Sequence, residues 1–136
     1  MGRPNLSGMT IKKLTPVLLV DAIEPLLPFW DALGFQRTAE VPHGDALGFV
    51  ILAADGVEVM YQTVASVRHD EPRILEGGRA AGMTGLFFEV DDLDAIAARI
   101  PKSADLIAER RTTPYGSTEI IVRDGAGNAV TFAKFG

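Results

Sequence analysis

The sequence predicts an α+β fold built from two similar modules, each with the order β-α-β-β-β. In the last third of the chain, two alternating β-branched runs flank the turn Asp124–Asn128, as expected of a β-hairpin. A fainter copy of this hairpin surrounds Asp55 and Gly56. The segment Val20–Glu24 also has a counterpart, Val90–Asp94, about 70 residues further along the chain. These repeats predict two curved four-stranded sheets, each with a helix on one face, that enclose a concave cavity.

The composition is that of one globular domain. The chain has 136 residues, of which 47% are hydrophobic and 23% are charged. This length supports a substantial core but not two ordinary domains, and the composition excludes wholesale disorder. We therefore predict a single domain over residues 1–136, with module one at about 10–62, a linker at 63–83 and module two at about 84–135.

The charge balance constrains the partner. A formal net charge of −5 without a cluster of basic residues argues against nucleic acid and suits a cationic small molecule. The chain has no cysteine, which excludes disulfides and thiolate metal ligands and fits a reducing compartment. Because no signal-peptide core and no apolar run of about 20 residues is visible, the sequence predicts a cytoplasmic protein that does not enter the membrane.

In module one, a helix is predicted over Ala22–Leu33 because apolar residues recur there with a 3.6-residue period. Asp21 is its predicted cap and Gly34 its end. We assign Trp30 to the apolar stripe that faces the core. The strands predicted around this helix are Ile11–Val20, Phe35–Val41 and Ala46–Leu52, the last of which leads into the first hairpin. A turn at Pro42–Asp45 is predicted between the second and the third of these strands.

A long polar segment, Thr63–Gly82, joins the two modules and is predicted to be a loop. Since loops of this length are usually functional or mobile, it is a candidate lid. Module two then repeats the order of module one. Its predicted elements are a strand at Thr84–Val90, a helix at Leu93–Ile100, a strand at Leu106–Thr112 and the final hairpin.

Four residues are candidates for ligand binding: Glu58, Met60, Phe87 and Tyr115. Glu58 and Met60 share one face of an alternating strand, and a carboxylate in the cavity needs a cationic partner. Phe87 alternates with two apolar neighbours and is expected to line the cavity, although core packing is an alternative. Tyr115 lies in a loop where its ring can stack on a planar ligand.

The remaining charged and imidazole side chains are expected on the surface. We place His43 in a turn and His69 in a charged loop, where both are exposed. Glu119 and Arg123 lie four residues apart on one face of a strand and are interpreted as a solvated or interfacial pair.

The motifs above resemble those of the vicinal oxygen chelate superfamily, which includes glyoxalase I, extradiol dioxygenases and the bleomycin and fosfomycin resistance proteins. The resemblance rests on Val20–Glu24 with Pro28–Phe35, on Phe87–Leu93 and on Tyr115–Phe132. Their order and spacing cover nearly the whole chain, and the resemblance implies the glyoxalase/bleomycin resistance fold.

In metal-dependent members, the resemblance implies four metal ligands on the sheets. The corresponding residues here are Thr15, Glu58, Gly85 and Thr131. Only Glu58 is a credible ligand, whereas a divalent cation needs three or four strong donors. We therefore expect neither a metal nor any other cofactor.

The subgroup that the chain most resembles is the metal-free bleomycin-resistance type. This resemblance implies a homodimer that sequesters a cationic aromatic antibiotic in clefts between subunits, without catalysis. One alternative is a metal-dependent lyase, isomerase or dioxygenase with an atypical ligand set, such as Glu58 with His69. Another is an interaction module whose cavity is filled by its own side chains.

Overall fold

The described part of the chain folds into two four-stranded sheets with three short α-helices. The computed structural model describes residues 13–75 and 84–136. Its elements in chain order are β1 Val17–Val20, α1 Leu27–Leu33, β2 Gln36–His43, β3 Ala46–Ala54, β4 Val57–Thr63, α2 Val64–Asp70, β5 Gly85–Glu89, α3 Leu93–Arg99, β6 Asp105–Thr112, β7 Ser117–Arg123 and β8 Ala129–Phe135.

The two sheets have the same topology. Their strand orders are β1-β4-β3-β2 and β5-β8-β7-β6. Strand β1 runs parallel to β4, and β5 runs parallel to β8. The other neighbouring strands in both sheets are antiparallel. The predicted α+β fold of two β-α-β-β-β modules is confirmed.

The first helix differs from the prediction at its start. A 3₁₀ turn covers Glu24–Leu26, and the α-helix begins only at Leu27. Pro25 explains the delay, because it has no backbone N–H to donate and suits only a first turn. The predicted cap at Asp21 is wrong, since the turn begins after Ile23 without a side-chain cap. Gly34 ends the helix as predicted, with a φ of 92° that favours glycine.

Two predicted boundaries are also wrong. The first strand covers only Val17–Val20, and the first two residues of the prediction, 11 and 12, lie outside the described ranges. His43 belongs to the end of β2 and not to the following turn.

The predicted linker loop is partly helical. Helix α2 is capped by Thr63, whose Oγ1 accepts a hydrogen bond from the Ser66 N–H at 3.1 Å, and it buries Val67. A 3₁₀ turn follows at Pro72–Leu75. The cap and the single buried contact explain why a polar segment becomes ordered here. Residues 76–82 of the proposed lid lie outside the described ranges.

One hydrophobic core joins the two sheets, with Trp30 fully buried within it. The Trp30 ring contacts Phe35 and Tyr61 of module one, at centroid distances of 4.8 and 6.3 Å, and Phe88 of module two at 6.1 Å. The predicted core position of Trp30 is confirmed.

A buried chain of hydrogen bonds also joins the modules. Trp30 Nε1 donates to Tyr61 Oη at 3.1 Å, and Tyr61 Oη donates to Asp124 Oδ2 at 2.6 Å. The Asp124 carboxylate also accepts from the Asn128 N–H and side-chain amide and from the Ala126 N–H. Burial, together with the charge of Asp124, raises the pKa of Tyr61 and keeps the phenol protonated.

Each sheet contributes one face to this core. On β4, for example, Val59 and Tyr61 are buried in the core cluster, so Glu58 and Met60 lie on the opposite face. We call these opposite faces open face one, for the first sheet, and open face two, for the second. Because each sheet packs its other face against the shared core, both open faces point away from that core.

Candidate functional site

Glu58 and Met60 lie on open face one, as the strand alternation predicts. The Glu58 side chain is 23% exposed and forms an ion pair with Lys13, with 2.6 Å between Oε1 and Nζ. Thr15 Oγ1 donates to the same carboxylate oxygen at 3.5 Å. The negative charge of Glu58 is therefore balanced by an exposed lysine.

An open cleft of about 880 Å³ lies beside the turn between β3 and β4. Its wall includes Glu58 and Asp55 as acids, Lys13 and Arg99 as bases, and Ile96 from helix α3. Of the four predicted ligand-binding residues, only Glu58 lines this cleft. The mixed charges of the wall give it no clear preference for a cation or an anion.

Open face two carries a cluster of exposed aromatic rings, which we call the aromatic cluster: Phe87, Tyr115 and Phe135. These residues are 55%, 55% and 41% exposed. The Phe135 ring lies 6.4 Å from Phe87 and 6.3 Å from Tyr115, centroid to centroid. Large aromatic side chains that remain exposed side by side are typical of binding surfaces. The sequence predicted Phe87 and Tyr115 as ligand contacts but did not single out Phe135.

Next to this cluster, a buried carboxylate lies on the same face. Glu119 is 1% exposed. It accepts hydrogen bonds from Tyr115 Oη at 2.5 Å, from Ser117 Oγ at 3.0 Å and from Arg111 Nε at 3.3 Å. The interpretation of Glu119 as a solvated partner of Arg123 is wrong, because Arg111 on the neighbouring strand lies directly opposite it.

A β-bulge in β6 determines which arginine meets Glu119. Ala108 pairs with Ile121, so a regular antiparallel ladder would place Arg110 opposite Glu119. Instead Arg110 adopts a φ of 57°, and Arg111 takes the position opposite Glu119. Such bulges re-aim side chains and are common next to functional sites.

The Tyr115 hydroxyl, by donating to the carboxylate, lowers the pKa of Glu119 below its ordinary value of 4.5. Ser117 and Arg111 act in the same direction, and burial opposes them. A carboxyl with a lowered folded-state pKa contributes stability above pH 4.5 that is lost as the pH falls through the folded-state pKa. The charged form of Glu119 therefore stabilises the fold at neutral pH.

We expect acid to destabilise the protein less after Glu119→Gln than before it. The measurement is the urea midpoint at neutral pH and at several values below pH 4.5, the ordinary pKa of the carboxyl. Glu109→Gln, on the exposed edge strand, is the matched control for loss of one negative charge. An identical acid response in the wild type and the Glu119 variant would contradict the prediction.

The two histidines lie side by side, with ring centroids 5.6 Å apart. His43 is half-buried at the end of β2, and His69 is exposed in α2 and not in a loop. Within residues 13–75 and 84–136, no three His, Asp or Glu side chains are grouped so as to bind one ion. The alternative metal site of Glu58 with His69 is therefore not assembled by the described residues.

The four predicted ligand-binding residues are divided between two surfaces. Glu58 and Met60 lie on open face one, whereas Phe87 and Tyr115 lie on open face two. The described part of a single chain does not bring the two pairs together.

No helix within the described residues is long and apolar enough to span a membrane.

Residues 12–132 match the sequence profile described as Glyoxalase/Bleomycin resistance protein/Dioxygenase superfamily. The chain belongs to this superfamily. No functionally curated protein matches the sequence.

Several solved structures share the fold. A glyoxalase/bleomycin resistance protein/dioxygenase from Nocardioides superposes with a TM-score of 0.70 at 14% identity, covering 95% of this chain and 87% of that one. TioX from Micromonospora sp. ML1 gives 0.70 at 18% identity, with coverages of 91% and 98%. TnmS3, an antibiotic binding protein from Streptomyces sp. CB03234, gives 0.63 at 17% identity, with coverages of 94% and 100%.

Proposed function

We propose that the protein binds small cationic aromatic molecules, antibiotics among them, without changing them chemically. The observation that carries this proposal is the aromatic cluster on open face two. Three contacting rings, each at least 41% exposed, offer a stacking surface for a planar ligand. A solved neighbour, TnmS3, is described as antibiotic binding, which supports a binding role for this fold.

The proposed site is completed by a second copy of the chain. Open face one of one copy, with Glu58 and Met60, would cover open face two of the other, with Phe87 and Tyr115. This arrangement unites residues that one chain keeps on two separate open faces. It also removes the exposed apolar surface of both sheets from water. Met60 would supply a flexible apolar contact, and Glu58 would exchange Lys13 for the cation of the ligand.

Tyr115→Ala is expected to weaken binding of 9-aminoacridine, a planar aromatic cation, by about tenfold, because it removes a stacking ring and part of the apolar contact. Fluorescence titration measures the affinity. Ile74→Ala removes a side chain that is 59% exposed outside both open faces, and is the matched control. Equal affinity of the wild type and the Tyr115 variant would contradict the proposed site.

The same titration tests the carboxylate and the dimer. Glu58→Gln should weaken 9-aminoacridine but leave binding of acridine, tested as its neutral counterpart in mildly alkaline buffer, unchanged. Unchanged binding of 9-aminoacridine would remove Glu58 from the site. Sedimentation equilibrium should show a dimer at micromolar concentration, whereas a monomer that binds the ligand equally well would refute the shared cleft.

A further inference from the structure

We infer that Glu119 is a second anchor, besides Glu58, for a cationic group of the ligand, and that Arg111 occupies this anchor until a ligand displaces it. The inference rests on the proposed function and names the charged group of its site. Glu119 adjoins the aromatic cluster, because Tyr115 belongs to the cluster and donates to its carboxylate. A ligand that stacks on these rings therefore has a carboxylate within reach of its charged end.

The three contacts of Glu119 differ in how easily they can be exchanged. Tyr115 and Ser117 donate at 2.5 and 3.0 Å, and the Ser117 residue is itself 2% exposed. Arg111 donates at 3.3 Å, and its side chain is 51% exposed. Its second contact, from Nη2 to Tyr115 Oη, is 3.5 Å long. Arg111 is thus the weakly held member, and it can swing into solvent while the two hydroxyl groups stay in place.

The chemistry of the anchor selects a cation. A carboxylate that is 1% exposed needs a positive partner, and Arg111 is the only base that the described residues pair with Glu119. When Arg111 leaves, an amidinium or guanidinium group of the ligand can replace it with the same planar donor geometry. The adjacent aromatic rings then favour a cation attached to an aromatic ring. Arg111 is in this sense an internal competitor of the ligand.

The bulge in β6 supports this assignment. It assigns the two consecutive arginines to different partners, because Arg111 meets Glu119 while Arg110 forms an ion pair with Asp94 of helix α3. Arg110 has to adopt a left-handed conformation, with a φ of 57°, for this arrangement. Arg110 also provides a matched control, because it lies next to Arg111 on the same strand and pairs with Asp94 instead of Glu119.

The test uses three probes with one ring and three charges: benzamidinium, benzamide and benzoate. Their affinities are measured by NMR titration for the wild type and for Arg111→Met. Removal of the competitor should tighten benzamidinium binding by about tenfold or more and leave benzamide unchanged, because a charge-assisted pair becomes available. Arg110→Met should bind benzamidinium like the wild type. The double variant Arg110→Met/Arg111→Met leaves no arginine opposite Glu119 in either register of β6, so it should bind benzamidinium at least as tightly as Arg111→Met.

Two results would overturn the inference. If benzoate binds the wild type and is lost in Arg111→Met, then Arg111 itself is the anchor and the ligand is an anion. If benzamidinium binds the wild type and Arg110→Met/Arg111→Met equally, no arginine competes for Glu119 and the inference fails. Adding Glu119→Gln to Arg111→Met should abolish the gain. If Arg111→Met/Glu119→Gln does not fold, the test is the set of amide chemical shifts that benzamidinium changes in Arg111→Met. This set must include the Ser117 and Glu119 amides. Chemical-shift changes confined to other residues would also refute the anchor.

This experiment separates the anchor from the shared cleft. Benzamidinium needs only residues of open face two, so its binding to Arg111→Met is expected even for a monomer. If 9-aminoacridine fails to bind and no dimer forms, the proposed function fails while the anchor stands. If 9-aminoacridine binds through Tyr115 but Glu119 does not affect benzamidinium, the anchor fails while the proposed function stands.

Discussion

Trp30→Ala is expected to lower the free energy of unfolding by about 3–5 kcal/mol, the usual range for loss of a buried tryptophan. Trp30 is fully buried and contacts rings of both modules, so truncation leaves a cavity where the two sheets meet. The substitution also removes the donor to Tyr61. A loss of this size is a large fraction of the stability of a typical domain, about 5–15 kcal/mol.

Urea unfolding followed by far-ultraviolet circular dichroism measures this effect, since Trp30 is the sole tryptophan and its removal eliminates that fluorescence signal. Trp30→Phe separates the cavity from the hydrogen bond, because it retains an aromatic ring but no donor to Tyr61. It should fall between the wild type and Trp30→Ala. A loss below about 1 kcal/mol for Trp30→Ala would show that the modules do not depend on this contact.

Asp124→Ala is expected to lower the free energy of unfolding by about 3 kcal/mol. The substitution leaves the Tyr61 hydroxyl, the Asn128 amide groups and the Ala126 N–H without their acceptor. Buried donors that lose their partner destabilise by about 1–3 kcal/mol each, and local relaxation makes their sum less than additive. The effect should therefore exceed that of removing one ordinary hydrogen bond.

Two variants calibrate this result. Asp124→Asn keeps one carbonyl oxygen as an acceptor and should be less damaging than Asp124→Ala. Asp105→Ala removes an exposed aspartate whose ion pair with Arg123 spans 3.5 Å, and should change the stability by less than about 1 kcal/mol. If Asp124→Ala unfolds at the same urea concentration as Asp105→Ala, the hydrogen-bond chain does not hold the modules together.

Much of the fold was predictable because it follows from local patterns. The turn Asp124–Asn128 and its fainter copy at Asp55 and Gly56 fixed two hairpins, and alternation along the strands assigned their faces. Alternation also placed Glu58 on the face opposite the core residue Val59. These are relations between residues close in sequence, which periodicity can detect.

The rest depends on residues that meet only in three dimensions. Pairing of Glu119 with Arg111 requires the extra residue of the β6 bulge, and nothing in the residue types there specifies one. Helix α2 depends on a cap by Thr63 and on burial of Val67, which a polar composition conceals. The bond between Tyr61 and Asp124 joins residues 63 positions apart. The alternating positions of Ser117 and Glu119 were the one available signal for a polar site on β7.

Because β6 carries two consecutive arginines, Arg110 and Arg111, the pairing of Glu119 with a guanidinium does not depend on the exact register of the strand. With the bulge, Arg111 meets Glu119, and without it regular pairing would bring Arg110 to the same carboxylate. Deleting either arginine would likewise leave a guanidinium opposite Glu119. Insertion or loss of one residue normally turns every following side chain of a strand to the other face. At this position both candidate residues are arginines, so a shift by one residue leaves a guanidinium opposite Glu119.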